Sequence, residues 1–509
     1  MSRPNSPLIR LSGRDNVAVA RQQVAAGTTL DDGIVAVDDI PSGHKIALEP
    51  IAEGQPVLKY GQVIGTASAP IQPGQHVHLQ NLAMQDSAVD HEIGADARPT
   101  PLLPEAERAT FQGYLREDGR MATRNYIAVI SSVNCSATVC RAVADHFNNK
   151  GGLAGFDNID GVVPITHGSG CAMSVNHTGY DYLARPLAGY ARHPNFAAVL
   201  MVGLGCETNQ ISLIKDRFGL QEGPAFRSFS MQEIGGTRAT IDHAIAIITE
   251  MLPAANAARR TTLPLSGITL ALECGGSDGY SGISANPALG HAADLLVSHG
   301  GTAVLAETPE IYGAEHLLLR RAVSPEVGQK LLDRIEWWRD YTAKNDMELN
   351  NNPSHGNKAG GLTTILEKSL GAVAKGGSMP MEAVYEFAET IDRTGFVFMD
   401  TPGYDPVAVT GQIAGGCNML VFTTGRGSCS GWKPVPTIKV ATNSAMARHM
   451  EDDMDIDCGT IVEGSESIEE AGERIFRKVI AIASGERAQS EIHDYGDFEF
   501  VPWQIGAVT

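Results

Sequence analysis

Four stretches near the start of the chain share one alternation of apolar and polar positions. They are Val24-x-x-Gly27-x-x-Leu30, Ile40-x-x-Gly43-x-x-Ile46, Ile51-x-x-Gly54-x-x-Val57 and Ile71-x-x-Gly74-x-x-Val77. Each predicts a turn pinned by glycine and followed by a short strand, at the spacing of a compact all-β unit. From Gln85 to about Phe111 the pattern lapses into an acidic, proline-rich composition (Arg98-Pro-Thr-Pro101, Leu103-Pro104-Glu105), which predicts a linker. Beyond it, apolar strand-like runs alternate with amphipathic helical stretches, the signature of α/β layers on largely parallel sheets. The predicted strands are Tyr126–Ser131, Gly161–Thr166, Ala198–Gly203, Ile268–Glu273, Thr302–Ala306, Gly395–Met399, Met419–Thr423 and Thr437–Ala441. A poorly patterned, Arg-bearing segment at Ala254–Pro264 suggests a second boundary, and Glu466–Glu486 reads as a closing helix. The predicted fold class is therefore α/β. A small N-terminal all-β unit spans 1–90, a linker 91–111, and two α/β layered units with largely parallel sheets span 112–258 and 259–509.

Composition narrows the function. Lys plus Arg number 39 and Asp plus Glu 59, a formal charge of −20. Such a chain is repelled by phosphate backbones and anionic membranes, so no nucleic-acid partner is expected. No apolar run approaches the ~20 residues of a membrane helix, and Met1–Asn16 holds no apolar core of a signal peptide. Eight cysteines with no CxxC pair argue against a disulfide framework. The expectation is a cytoplasmic protein with reduced thiols. Glycine, 55 of 509 residues or about 11% against a usual ~7%, is the outlier, and it points to turns and close backbone approaches.

Many of those glycines follow the predicted strands. Past the strand ends come Ser132-Val-Asn134-Cys135-Ser136, His167-Gly-Ser-Gly170-Cys171 and Gly203-Leu-Gly205-Cys206-Glu207. Further on come Cys274-Gly-Gly-Ser277-Asp278-Gly279, Glu307-Thr-Pro-Glu310, Asp400-Thr-Pro-Gly403 and Gly425-Arg426-Gly427-Ser428. In open α/β sheets ligands bind beyond the carboxyl ends of the strands, so this series predicts the floor of an active site. Gly168-Ser-Gly170 and Gly203-Leu-Gly205 start like GxGxxG but lack the third glycine, and no GxxxxGK[ST] loop exists. Neither NAD nor ATP is expected. Cys135, Cys171, Cys206 and Cys274 stand at or past strand ends, in reach of a metal or cluster or as small packing residues, and without the usual spacings they do not read as an iron–sulfur site from sequence. His76 and His78, one residue apart on a strand, face the same way, and His44 joins them if the repeats stack.

Several strings together resemble the altronate/galactarate dehydratase family of hydro-lyases. They are Gly113-Tyr-x-Arg116-x-Asp-Gly119-Arg-x-x-Thr-Arg124-Asn125, Gly203-Leu-Gly205-Cys206-Glu207, Glu273-Cys-Gly-Gly-Ser-Asp-Gly-x-Ser-Gly-Ile-x-Ala-Asn286-Pro287, Gly356-Asn357-Lys358-Ala-Gly-Gly361, Thr423-Thr-Gly-Arg-Gly427 and Val440-Ala-Thr-Asn443. Ser42-Gly-His44-Lys45 and Lys59-Tyr-Gly61 look like the family's small β (SAF) domain. The resemblance implies dehydration of a sugar acid, altronate foremost, to a 2-dehydro-3-deoxy acid. It also implies a divalent metal (ferrous iron, with manganese substituting) and a homodimer. On that reading Asp278, Glu307, Glu310 and Cys274 are candidate metal ligands, and Arg426, Asn357, Ser277 and Asn286 candidate substrate contacts. His44, Lys358 and His167 are candidate catalytic groups, and the base is left open among them and the carboxylates. The chain departs from the family pattern at Ala122, His355 and Ser428-Cys429, the last two beside the proposed substrate groups. Galactarate dehydration, sulfolactate sulfo-lyase activity and non-catalytic sugar-acid binding are the competing readings.

Overall fold

A computed structural model describes residues 6–85 and 91–506; residues 1–5 of the first unit and 86–90, where the linker composition begins, lie outside the described residues. The repeat forms as its pattern requires. All eight of its apolar positions are buried, and each of its four glycines takes a left-handed φ between +78° and +85°, where a side chain would be strained. Val24 bridges to Ile40 and Ile51 to Ile71, so the repeats stack in two pairs. Around them run a four-stranded antiparallel sheet (Leu8–Ile9, Val17–Ala20, Lys45–Ala47, His76–Val77) and a three-stranded one (Pro56–Lys59, Gln62–Ala67, Leu82–Ala83).

The next unit carries a four-stranded parallel sheet in the order Val162–Ile165, Tyr126–Ser131, Phe196–Gly203, Phe226–Ser230. The last carries a seven-stranded parallel sheet in the order Met381–Tyr385, Gly395–Met399, Thr302–Leu305, Thr269–Cys274, Met419–Thr424, Thr437–Ala441, Ile456–Asp457. The buried central strands match their apolar runs. Phe226–Ser230 and Met381–Tyr385 were not predicted: each is an edge strand with partly exposed residues, and neither shows a continuous apolar run.

The segments predicted as linker and boundary are structured. Residues 91–109 are tied to the last unit, with Gly94 N donating to Leu319 O at 2.9 Å and His91 pairing with Glu315 at 3.1 Å. Helix Thr237–Asn256 runs into the Arg-bearing stretch, and Thr261–Pro264 pairs antiparallel with Thr110–Leu115. The closing helix, Ile468–Ala483, packs on helix Ala285–Ser298 so closely that a Cβ on Gly472 would lie 2.8 Å from Ala288 O.

One topological feature positions the site. The seven-stranded sheet begins at its centre with Thr269–Cys274, builds outward on one side, then crosses to Met419–Thr424 on the other. The crevice at the carboxyl ends of those two strands is the sheet's switch point.

Candidate active site

The two switch-point loops are knit together: Gly425 N and Arg426 N both donate to Gly276 O, at 3.2 and 2.8 Å. Asp278 lies between them. Its carboxylate accepts from Thr442 Oγ1 (3.0 Å to each oxygen), Asn443 Nδ2 (3.1 Å), Ser281 Oγ (3.1 Å) and Tyr280 N (3.1 Å). Those donors engage the lone pairs that an ion would need, so Asp278 fastens the loops. Burial nonetheless raises its carboxyl above the usual aspartate value, in opposition to the hydrogen bonds.

A third loop covers this crevice. Ser354 caps helix His355–Ala359, and Asn357 Nδ2 donates to Ser277 O at 2.9 Å while its Oδ1 accepts from Ser354 N and Oγ. Asn357 and Ser277 thus hold loop to loop. Gly279 N donates to Gly360 O at 2.8 Å. A Cβ on Gly360 would stand 3.3 Å from Arg426 Cδ, and one on Gly361 3.3 Å from His44 Cδ2, so these glycines bring both side chains against one turn. Arg426 is exposed and Lys358 half-buried; neither makes a side-chain hydrogen bond or ion pair among the described residues. Both are free to meet an anion.

The β unit docks on the same turn. Ser42 Oγ meets Tyr280 Oη at 2.7 Å, and Tyr280 Oη donates to Ala20 O at 2.7 Å. Lys45 Nζ donates to Gly361 O at 2.7 Å and to Glu367 Oε2 at 2.9 Å; Lys59 Nζ takes Glu367 Oε1 at 2.9 Å. All three charges are buried, and although burial opposes its ionised form, the two ammonium groups hold the Glu367 carboxyl far below the usual range. Burial pulls Lys45 down to about 8.

That docking sets His44 beside His76 and His78, with ring centroids 4.9–5.4 Å apart and one nitrogen of each within 4.8 Å of the others. His44 Nε2 lies 3.2 Å from Ala359 O; a carbonyl only accepts, so this nitrogen carries the proton and Nδ1 keeps a lone pair toward the trio. His44 Nδ1 is 3.0 Å from His76 Nε2. His78 Nδ1 is buried with no hydrogen-bond partner among the described residues. Burial pushes His76 down to about 4 and His78 to about 3, with neighbouring positive charge adding to the effect, and it lowers His44 as well. Imidazoles with one nitrogen each converging, His44 fixed by an outer hydrogen bond to a carbonyl, suit a divalent transition metal.

A second titratable group lies deeper. Cys274, Glu307 and Glu310 converge within 4.8 Å, all buried. Lys375 Nζ donates to Cys274 Sγ at 3.0 Å and pairs with Glu307 at 3.3 Å, and Lys368 Nζ pairs with Glu310 at 2.6 Å. Asn352 Nδ2 adds a bond to Glu310 at 2.7 Å. Burial, with Glu310 beside it, pushes Glu307 up to about 8, and burial then Glu307 raise Glu273 well above its usual value. Glu307 Oε1 has no hydrogen-bond partner among the described residues, and Glu307 holds a left-handed φ of +70°. The adjoining cavity, lined by Cys274, Ser277, Asp278, Asn286 and Lys368 among others, is ≈ 10 Å³, room for about one water. A sugar acid does not fit there.

The candidates therefore separate. Cys274, Glu307 and Glu310 come together without Asp278. His44, Arg426 and Lys358 surround one turn. Asn286 is buried in its helix, donating to Gly371 O at 3.0 Å and accepting from Thr423 Oγ1 at 2.6 Å. His167 follows a strand of the other sheet, and backbone takes both its nitrogens: Nε2 meets Ser131 O at 3.0 Å, and Ser169 N donates to Nδ1 at 3.2 Å. Sequence reasoning missed Lys368 and Lys375. No local pattern marks Lys368, because Ile365-Leu366-Glu367-Lys368-Ser369-Leu370 mixes apolar and polar residues although the whole helix is buried.

A β unit set over the switch point of a parallel sheet, with free cations and imidazoles around one turn, defines an α/β enzyme. Comparison with known proteins makes the class specific. Residues 265–508 match the family model for the D-galactarate/Altronate dehydratase C-terminal domain, 113–256 that for the D-galactarate dehydratase/Altronate hydrolase second domain, and 6–85 that for the Altronate/galactarate dehydratase SAF domain. The chain is 34% identical to altronate dehydratase of Bacillus subtilis over 494 residues, 96% of this chain and 97% of that one. It is 35% identical to galactarate dehydratase (L-threo-forming) of Escherichia coli over 492 residues, 95% and 94% of the two chains. With the (2R)-sulfolactate sulfo-lyase subunit beta of Chromohalobacter salexigens it shares 30% identity over 399 residues, 77% of this chain and 97% of that one. The chain belongs to the altronate/galactarate dehydratase family, and it is a hydro-lyase. No helix among the described residues is long and apolar enough to cross a membrane.

Proposed function

We propose that the protein dehydrates a sugar acid, D-altronate first among them, to its 2-dehydro-3-deoxy acid, with a divalent ion held by His44, His76 and His78. The observation that carries this reading is the meeting of His44, one of that trio, and Arg426 on the single turn at 359–361. The trio is the better ion site of the two. The Cys274–Glu307–Glu310 group already holds two lysine ammonium groups where an ion would stand, and it is closed to a substrate. Ferrous iron is the first choice of ion, with manganese able to replace it.

A basic group of the crevice takes the C2 proton beside the carboxylate, leaving a dianionic enediolate, and the C3 hydroxyl then takes a proton and departs as water. When bound, the ion supplies Lewis acidity that lowers the cost of that charge. Arg426 grips the carboxylate through its planar fork, and the glycines on either side let the substrate approach. Lys358, whose side chain makes no hydrogen bond or ion pair among the described residues, donates a proton toward the departing hydroxyl. A galactarate-type diacid is the second reading, favoured by two unpaired cations on neighbouring loops, one for each carboxylate.

A panel of aldonates and aldarates, incubated with ferrous iron and assayed for 2-keto acid, tests both. Altronate turning over fastest supports the first reading and galactarate the second. No product from any member sinks both.

A further inference from the structure

The sheet of the second unit carries a feature that the sugar-acid reading leaves unused. Its three adjacent strands Val162–Ile165, Tyr126–Ser131 and Phe196–Gly203 are parallel, so their carboxyl ends open on one edge. Just past each end stands one cysteine: Cys171, Cys135 and Cys206 respectively. All three are exposed, whereas Cys140 in the helix that follows is buried and its thiol is pushed up to about 12 by that burial. Packing explains Cys140 and does not explain the other three.

The loops that carry these thiols are bound to one another. Asn134 N donates to Ser169 O at 2.9 Å, Thr208 N to Cys171 O at 3.1 Å and Asn209 N to Gly170 O at 3.0 Å. Glu207, buried, accepts from Ser132 Oγ at 2.8 Å and from Gly205 N at 2.6 Å. Each cysteine is thus within two residues of a bond that joins its loop to a neighbour's. Asn209 is wholly buried between the loops and donates to Ser132 O at 2.8 Å, yet its Oδ1 has no partner among the described residues. Gln232 Nε2 donates to Cys206 Sγ at 3.4 Å, an outer contact of the kind that orients a ligating sulfur.

We propose that Cys135, Cys171 and Cys206 hold an iron–sulfur cluster of the cubane type through three thiolates, the fourth iron being left to an oxygen ligand. A single ion fits poorly. Thiolates ~2.3 Å from one tetrahedral centre stand under ~4 Å apart, and these three sulfurs are not among the groups that converge within 4.8 Å. A cluster gives each thiolate its own iron and so spans a wider triangle. The thiols come from separate loops, which is why the sequence shows none of the short cysteine spacings of ferredoxins.

The test uses the full chain, reconstituted without oxygen with equal amounts of ferrous and ferric iron and with sulfide, so that two irons of each state and four sulfides make the cluster, then freed of unbound metal. Acid-labile sulfide and visible charge-transfer absorption separate this centre from iron on the histidine trio, which carries no sulfide. About four sulfides per chain are expected, lost in C135S, C171S and C206S and retained in C429S and in H76A/H78A. Alkylation of the reconstituted wild-type protein, read by mass spectrometry, should spare these three thiols while Cys429 reacts; this arm does not depend on any variant folding. Absence of sulfide from the wild-type protein, or a chromophore that survives in the triple serine variant, would overturn the proposal.

Discussion

His167 and His193 show how one side chain carries a pH dependence. Each donates through Nε2 to a carbonyl, of Ser131 and Cys417 respectively, and each accepts at Nδ1 from the backbone N–H two residues on. Protonation would destroy the acceptor. Burial, opposed in part by the carbonyl bond, pushes both rings down to about 4. In the unfolded chain they titrate near 6.5, so that chain binds the extra protons as pH falls. The stability is fully present above pH 6.5 and is lost as pH drops toward 4, on the order of 3 kcal/mol per ring. Denaturation midpoints measured from pH 7 to pH 4 should fall across that window, and the fall should be smaller in H193Q. Arg426 makes the opposite case, an exposed side chain with no structural partner. Arg426→Ala should leave stability within about 0.5 kcal/mol of wild type and raise KM for the sugar acid by roughly ten- to a hundredfold, the worth of a charge-assisted contact. Steady-state kinetics beside a melting curve checks both halves.

Between elements, the decisive contact is Glu367 shared by Lys45 and Lys59. It joins strand Lys45–Ala47 and strand Pro56–Lys59 of the β unit to helix Ile365–Val373 of the last unit, and so it fixes where His44 lies. Removing one member strands buried charge. Glu367→Ala should cost about 3–5 kcal/mol, read by chemical denaturation, and should weaken manganese binding through the displaced trio. The pattern of apolar positions made much at this scale legible: the stacked repeats, the central parallel strands and the closing helix all follow from runs within one element. Edge strands such as Phe226–Ser230 escaped because they show no continuous apolar run. The Lys45–Glu367–Lys59 contact and the Lys375–Cys274–Glu307 group escaped for another reason. Their members are brought together by the sheet order and by docking, and no local pattern announces a lysine that will be buried against a distant carboxylate.

At the scale of the molecule, a net charge of −20 opposes an anionic substrate. The chain offsets that field locally, placing Arg426 and Lys358, without side-chain partners among the described residues, around the turn that His44 also faces. The family strings at Glu273–Pro287 and Gly356–Gly361 made this crevice findable in the sequence. They did not show that Asp278, Asn286 and Asn357 hold loops and helix in place, since a motif names residues without saying which lone pairs are already engaged. The central claim is that this crevice removes water across C2 and C3 of a sugar acid. The most direct measurement is proton NMR of D-altronate incubated in D2O with the ferrous-loaded protein. The account predicts a 2-dehydro-3-deoxy acid that has lost the C2 proton and carries one solvent deuterium at C3. Altronate that keeps its C2 proton and its C3 hydroxyl would contradict it.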